Sequence, residues 1–219
     1  MAERMIAIGD VHGCAVALRT LLEVVAPTRD DTIVMLGDCV DRGPDSRGVL
    51  DEVLALRDVC RVVPILGNHE EMMLNWLDGH PQPDDWLVCG GAATLTSYGE
   101  GAGCAEVTPE HVEYIRTWGD FFETPTHFFC HGNYDPRLPL DQQRWNVMRW
   151  ESLRVNVPGP HRSGKMAIVG HTSQKSGEVL DVGHLRCIDT YCYGGGWLTA
   201  LDTIGGRLWQ TNQQGQLRR

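Results

Sequence analysis

Short apolar runs at a nearly constant spacing constrain the fold of this chain most strongly. Residues 5–8, 32–36 and 62–66 each have the composition of a buried strand. Their starts lie about 30 residues apart, which is the length of a βαβ unit. Apolar residues at helical spacing fill the stretches between them. This alternation predicts an α/β chain with a mostly parallel sheet and helices on its faces.

The same patterns extend along the rest of the chain. Helices are predicted over residues 14–25, from an N-cap at Ser46 to about Asp58, over 70–77 and over 109–118. Further strands are predicted over residues 127–130, 167–169 and 185–188. Residues 79–106 are rich in Gly and Pro and predict loops around a short helix. Residues 197–210 predict a β-hairpin that turns at Gly205 and Gly206.

No linker or repeat divides the chain, so residues 1–219 are predicted to form a single domain, with 211–219 as a frayed polar tail. The net charge of −10 argues against nucleic acid as a partner. The N-terminus does not resemble a signal peptide, and no apolar run is long enough for a membrane span. We therefore expect a cytoplasmic protein with no membrane partner, whose eight cysteines are reduced.

Five polar motifs each follow a predicted strand directly. In an open α/β sheet, ligands bind beyond the carboxyl ends of the strands, so these motifs are predicted to converge on one crevice. Any one of them alone is more simply a turn or a satisfied histidine. The coincidence of all five favours a metal site, because Asp, His and Asn offer mixed oxygen and imidazole ligands. The motifs occupy residues 9–13, 37–43, 67–70, 131–132 and 170–172.

In sequence and order these motifs (GDVHG, GDCVDRG, GNHE, His-Gly and GHT) resemble the calcineurin-like metallophosphoesterases. More narrowly they resemble the phosphoprotein phosphatases, in their short bacterial and phage serine/threonine type. The resemblance spans nearly the whole chain. It implies an α/β fold in which mixed β-sheets form a sandwich flanked by helical layers.

The resemblance also implies a dinuclear site that hydrolyses phosphomonoesters by in-line attack of a metal-bridging hydroxide. Manganese is the first expectation for both divalent ions, with iron, zinc or nickel as alternatives. The motifs imply a role for nine residues. Asp10 and His12 would bind the first metal, Asp38 would bridge, and Asn68, His131 and His171 would complete the second, while Asp41 and His69 would form the catalytic pair and Arg42, with Asn68, would bind phosphate.

The chemistry of the pair follows from its residue types. A leaving alkoxide needs a proton, and histidine has a pKa that suits a general acid near neutral pH. Asp41 would fix the tautomer and orientation of His69. The alternative is that His69 only supports Asp41. The guanidinium of Arg42 offers two parallel donors that match a phosphate.

Two departures from the family pattern leave questions open. Leu66 stands where many relatives have an arginine, so a second phosphate-binding arginine is missing or comes from elsewhere; the candidates are Arg149, Arg154 and Arg162. Three cysteines lie beside the motifs and suggest either small core packing or sensitivity to oxidation. They are Cys14, Cys39 and Cys130.

Three functions compete at this point. The first is a phosphatase acting on phosphoserine or phosphothreonine in a protein or peptide. The second is a symmetrical dinucleoside tetraphosphate pyrophosphohydrolase, with a nucleotide as the small phosphoester substrate. Asp41 favours the first, because the dinucleotide hydrolases often replace that residue. The third, a catalytically dead scaffold, is disfavoured because no expected ligand is missing.

Overall fold

The computed structural model describes residues 3–80 and 83–219; the side chains of Pro83, Asp84 and Ala105 are not described. Within these ranges the chain forms two five-stranded mixed sheets that pack face to face. The implied α/β sandwich with helical layers is therefore confirmed.

The first sheet has the strand order β10-β9-β1-β2-β3. The neighbouring strands β1, β2 and β3 are parallel to one another, and β3 lies at one edge of the sheet. Strands β9 and β10 form the predicted antiparallel hairpin, and β9 pairs antiparallel with β1. The strands of this sheet are β1 (Met5–Ile8), β2 (Thr32–Met35), β3 (Arg61–Pro64), β9 (Leu198–Asp202) and β10 (Leu208–Thr211).

The second sheet has the order β4-β5-β6-β8-β7, in which β5, β6 and β8 are parallel and the short edge strands β4 and β7 are antiparallel. The prediction of a mostly parallel sheet was wrong, because antiparallel strands border both sheets and the strands divide between two sheets. The pairing partners of a strand lie far away in sequence, so its local pattern does not assign it to a sheet. The strands of the second sheet are β4 (Phe121–Glu123), β5 (His127–Cys130), β6 (Met166–Val169), β7 (Leu180–Asp181) and β8 (Leu185–Cys187).

Seven α-helical segments lie in the described chain. The predicted N-cap at Ser46 was wrong by one residue, because the carboxylate of Asp45 accepts the hydrogen bond from the Gly48 amide. A π-helical turn over Leu87–Gly91 joins the fourth and fifth helices. The helices are α1 (Ala15–Val25), α2 (Ser46–Leu56), α3 (Asn68–Leu77), α4 (Pro83–Trp86), α5 (Ala92–Tyr98), α6 (Pro109–Ile115) and α7 (Trp145–Trp150). None of the described helices is both long and apolar enough to span a bilayer.

Apolar side chains are buried in three layers. Residues from both sheets, such as Val34 and Ile168, pack between the sheets. The outer face of the first sheet packs against α1, α2 and α3 through residues such as Leu18 and Val49. The outer face of the second sheet is covered by α7 and the loops around it, including Tyr134. Burial on both faces explains why these strands read as continuous apolar runs.

Residues 211–219, which the sequence predicts to be a frayed polar tail, make defined contacts in the structure. Thr211 belongs to β10 and bridges Leu217 in antiparallel fashion. The guanidinium of Arg218 donates to the carbonyl of Gly177 at 2.7 Å and to the side chain of Gln210 at 2.9 Å. These contacts hold the polar tail against the hairpin although its own sequence has no apolar pattern.

Candidate metal centre

The five polar motifs lie at the carboxyl ends of β1, β2 and β3 in the first sheet and of β5 and β6 in the second. They meet where the two sheets join. The His12 amide donates to the Asp38 carbonyl at 2.8 Å, and the His171 amide donates to the Asp10 carboxylate at 3.0 and 3.1 Å. Side chains that are 161 positions apart in sequence are thereby neighbours, as the sequence predicted.

Asp38 lies at the centre of this cluster. Its Oδ2 is 3.5 Å from His12 Nε2 and 3.9 Å from His69 Nε2, and its Oδ1 is 3.3 Å from His131 Nε2. Two groups of donor atoms, each within 4.8 Å of one another, therefore share this carboxylate. One comprises His12, Asp38 and His69, and the other Asp38, His131 and His171. A carboxylate shared by two such groups is in the position that a bridging ligand needs.

The histidine tautomers suit metal ligation. His12 Nδ1 lies 3.0 Å from the Val40 carbonyl, and His131 Nδ1 lies 2.7 Å from the Leu36 carbonyl. His171 Nε2 lies 3.0 Å from the Trp150 carbonyl. A carbonyl only accepts, so each of these nitrogens carries the proton. In the neutral ring, the second nitrogen of each histidine is the one that faces the cluster, which is the usual arrangement around bound metals.

The amide oxygen of Asn68 lies between the two histidines of the second sheet. It is 3.1 Å from His131 Nε2 and 3.0 Å from His171 Nδ1. The predicted ligands Asn68, His131 and His171 thus share one small volume. Oxygen and imidazole donors in such a group suit manganese, iron or zinc, so the residues present fit the divalent cations that the resemblance implies.

Burial and charge perturb this cluster strongly. Burial alone would raise the pKa of Asp38, but His131 and His69 hold it well below its usual range. Burial opposes a charge on His131 as well, yet Asp38 raises the pKa of His131 to about 10. The carboxylate of Asp38 therefore favours a compensating positive charge beside it. A bound cation supplies the same compensation.

Asp10 belongs to neither of the two groups defined by donor distances, although it was predicted as a ligand of the first metal beside His12. Its side chain is buried, and burial together with the nearby Asp189 raises its pKa well above the usual value. Its carboxylate accepts from the His171 amide. A buried carboxylate beside two others is unfavourable unless a cation is present.

Asp41 and His69 form a buried pair, with Oδ2 of the aspartate 2.6 Å from Nδ1 of the histidine. Asp41 also accepts hydrogen bonds from Trp86 Nε1 and Thr94 Oγ1. Burial raises the pKa of Asp41, while the hydrogen bonds from His69, Thr94 and Trp86 oppose that shift. The opposite ring nitrogen of His69 faces Asp38. The predicted catalytic pair therefore borders the predicted metal site.

Arg42 reaches the same cluster. Its Nη1 is 2.7 Å from His12 Nε2, and its guanidinium carbon is 4.7 Å from the ring centroid of Tyr193. The Tyr193 ring in turn packs edge-on against His12 at 4.8 Å. The aromatic ring fixes the guanidinium beside the site, where a phosphate could replace its contact with His12.

Backbone strain is concentrated in these motifs. In the described chain, seven residues other than glycine have a left-handed φ, and five of them are His12, Asp38, Asp41, Arg42 and His171. Such conformations cost about 1 to 3 kcal/mol each and persist where the surroundings impose them. Concentration in the predicted site indicates that function, rather than stability, selects this backbone.

The structure separates the three further arginine candidates. Arg149 is held between Asp120 at 2.6 Å and Glu71 at 3.2 Å. Arg162 donates to the Arg137 carbonyl, away from the cluster. Arg154 donates to the carbonyl of Ser173, two residues beyond His171. Arg149 and Arg154 therefore both contact residues next to the motifs, since Glu71 follows Glu70 and Ser173 follows Thr172.

The cysteines beside the motifs are buried, and all eight in the chain are unbridged. Burial raises the pKa of Cys130 to about 12 and that of Cys39 well above its usual value. Thiols that stay protonated react slowly, so packing is the better interpretation for these two. Cys14 differs, because hydrogen bonding to Cys192 lowers its pKa.

Sequence reasoning gave no role to several residues that the structure brings to the site. The Glu70 carboxylate accepts from the backbone amides of Asp38, Cys39, Val40 and Gly67 at 2.7 to 3.1 Å. Glu70 is the last residue of the third motif, and this position was a sequence signal for a role at the site. The residues Trp86, Thr94 and Tyr193 lie outside every motif, and no sequence signal marks them.

Comparison with known proteins agrees with this geometry. A family model described as calcineurin-like phosphoesterase matches residues 3–161. Serine/threonine-protein phosphatase 1 of Salmonella typhimurium is 29% identical over 203 residues, which is 88% of each chain. A symmetrical bis(5'-nucleosyl)-tetraphosphatase of Burkholderia pseudomallei is 42% identical, but over 69 residues only, which is 32% of this chain and 24% of that enzyme.

Solved structures share the fold. A crystal structure provisionally described as a diadenosine tetraphosphatase superposes with a TM-score of 0.73 at 23% identity, covering 95% of this chain and 92% of that one. A cold-active protein-tyrosine phosphatase from a Shewanella species gives 0.64 at 21% identity, covering 100% of this chain and 80% of its own.

Proposed function

Since the chain belongs to the calcineurin-like phosphoesterase family, we propose that it hydrolyses phosphomonoesters at a dinuclear site built around Asp38. The observation that carries the proposal is the position of this carboxylate, shared by two groups of donor atoms beside the Asp41–His69 pair. We assign Asp10, His12 and Asp38 to one cation and Asp38, Asn68, His131 and His171 to the other. Manganese is the first candidate for both.

When bound, the cations supply an activated water and neutralise charge on the phosphoryl oxygens. Residues of the chain itself donate the proton and hold the phosphate. Asp41 holds Nδ1 of His69, so Nε2 of that ring is directed into the site, where it donates a proton to the leaving oxygen. The Arg42 guanidinium and the Asn68 amide hold the phosphate, which fixes its orientation for in-line attack.

For the substrate, we propose phosphoserine or phosphothreonine in a protein or peptide. The retained Asp41 supports this, because leaving groups of high pKa require the proton that the Asp41–His69 pair supplies. The relative aligned along most of its length is a serine/threonine phosphatase, whereas the tetraphosphatase match covers 69 residues. The symmetrical tetraphosphatase activity is the second candidate, since the same motifs are found in both classes.

A substrate panel tests these proposals. The protein is stripped with EDTA, Mn²⁺ is added back, and a phosphothreonine peptide and diadenosine tetraphosphate are assayed side by side. We expect activity to vanish on stripping, to return with Mn²⁺, and to be higher in kcat/KM on the phosphopeptide. Higher kcat/KM on the dinucleotide supports the second candidate. Full activity after complete metal removal contradicts the dinuclear mechanism.

A further inference from the structure

The Asp41 carboxylate, which contacts His69, also accepts hydrogen bonds from an indole. Trp86 Nε1 lies 2.9 Å from Asp41 Oδ2 and 3.1 Å from Oδ1. The hydroxyl of Thr94 donates to Oδ1 at 2.7 Å. Asp41, Trp86, His69 and Thr94 are at most 1% exposed, so water does not compete for these bonds.

The backbone around this indole is shaped to bring it there. Trp86 ends α4, and the π-helical turn Leu87–Gly91 follows, in which Gly90 has a φ of 125°. The Gly90 carbonyl accepts from the Arg42 amide at 3.3 Å. The Trp86 ring packs directly on Gly91, so a side chain at position 91 would displace it.

Hydrogen bonds to both oxygens restrain rotation of the carboxylate. His69 and Trp86 both contact Oδ2, while Thr94 and Trp86 both contact Oδ1. A carboxylate fixed in plane also fixes the ring that it holds, because the hydrogen bond to Nδ1 sets the direction of Nε2. Loss of one donor would leave the His69 ring on average less well aligned with a leaving oxygen.

We propose that Trp86 is a positioning residue whose indole N–H aligns the Asp41–His69 pair for proton donation. This inference rests on the proposed function, in which His69 protonates the leaving oxygen. The inference gives the segment from Trp86 to Thr94 a positioning role in catalysis, although this segment carries no motif. It also predicts that the effect of Trp86 depends on the leaving group.

Trp86→Phe removes the indole N–H and keeps an aromatic ring against Gly91. The matched control is Trp118→Phe, because Trp118 is also buried and its Nε1 has no hydrogen-bond partner among the described residues. Both variants and the wild type are assayed with Mn²⁺ on phenyl phosphate, whose leaving group needs a proton, and on p-nitrophenyl phosphate, whose leaving group does not.

We expect Trp86→Phe to lower kcat on phenyl phosphate by about tenfold, with a clearly smaller loss on p-nitrophenyl phosphate. KM and the Mn²⁺ affinity from titration calorimetry should stay at wild-type values, and Trp118→Phe should match the wild type on both substrates. Equal losses on both substrates, or no loss on either, would overturn the proposal.

Thr94 provides a second test that does not depend on the tryptophan packing. Thr94→Val removes the hydroxyl and Thr94→Ser keeps it. We expect the leaving-group effect in the valine variant and its rescue in the serine variant; the same behaviour in both variants contradicts alignment by hydrogen bonds.

The two proposals fail in distinguishable ways. If the wild type hydrolyses neither ester, the proposed function fails. If His69→Ala shows the leaving-group effect and Trp86→Phe does not, only the inference about Trp86 fails.

Discussion

Two neighbouring residues of α3, His69 and Glu70, point to different surroundings: one extends into the site and the other binds the loops that support it. Glu70 is fully buried and accepts four backbone amides from the loops after β2 and β3, so it fixes the backbone that carries Asp38. Burial raises its pKa to about 7, although these amides favour the charged form. His69, one position earlier, extends into the site. A single turn of helix therefore provides both the support and the proposed acid.

Glu70→Gln should destabilise the protein. The amide side chain has one acceptor oxygen in place of two, so some of the four buried amides lose their partner, at a cost of about 2 to 4 kcal/mol in the free energy of unfolding. Urea denaturation measures this. The matched control is Glu106→Gln, where an exposed carboxylate accepts a single amide from Gly103. Equal stability of Glu70→Gln and the wild type would show that the four contacts contribute nothing.

His69→Ala should retain both metals and lose catalysis. We expect kcat on a phosphopeptide to fall by roughly 10² to 10⁴, because the leaving alkoxide is no longer protonated. The donor distances also group His69 with His12 and Asp38, so a role as a ligand must be tested. Metal content of the purified variant distinguishes the two roles: loss of one Mn²⁺ per chain identifies a ligand, and full activity removes His69 from the mechanism.

At the scale of elements, the loop that follows β2 is formed by close approach of backbones. Gly37 has a φ of 93°, and a Cβ there would lie 2.7 Å from the Gly67 nitrogen and 2.9 Å from His131 Nδ1. The loops after β2, β3 and β5 therefore meet at a position where only glycine fits. This contact joins the first sheet to the second at the candidate metal centre.

Gly37→Ala should separate these loops. We expect Mn²⁺ affinity, measured by calorimetry, to fall by about 10- to 100-fold, since displaced His131 no longer faces Asp38. Gly183→Ala is the control, because Gly183 has a φ of 85° but no atom within 4 Å of the added Cβ. That variant carries the same backbone strain without the clash. Unchanged affinity in Gly37→Ala would contradict the argument.

At the scale of the whole molecule, an ion pair ties the beginning of the chain to the turn before β2. Arg4 Nη2 is 2.6 Å from Asp31 Oδ2, and the same guanidinium donates to the carbonyls of Val25 and Ala26 at 3.1 Å. Asp31 is buried, and its hydrogen bond with Arg4 is the main cause that lowers its pKa. This cluster closes the end of the first sheet remote from the motifs.

The pair makes stability depend on acid in a defined direction. The folded pKa of Asp31 lies below the unfolded value of about 3.9, so its contribution is present above that pH and is lost as the pH falls toward the folded pKa. Asp31→Asn should be less stable than the wild type at pH 7, and the difference should shrink between about pH 5 and pH 2. Urea denaturation across that range measures it; a constant difference contradicts the linkage.

The sequence by itself predicted most of the longer elements and nominated the nine candidate site residues. Strands β1 and β5 have the bounds that the apolar runs predict, because burial on both faces leaves an unmistakable local pattern. The motif residues could be identified because metal-type donors directly after strands converge in any α/β fold. These signals are local in sequence, so they survive without knowledge of the tertiary structure.

Only the tertiary structure decided how these elements assemble. Trp86 and Thr94 contact Asp41 across 45 and 53 positions of sequence, and Arg218 fixes the tail through Gly177. Packing between distant segments selects such partners. This packing produces no hydrophobic periodicity in either segment, so the sequence of neither segment reveals the contact. The same holds for the division into two sheets. Residue chemistry therefore indicated the candidate site, and long-range packing decided which residues surround it.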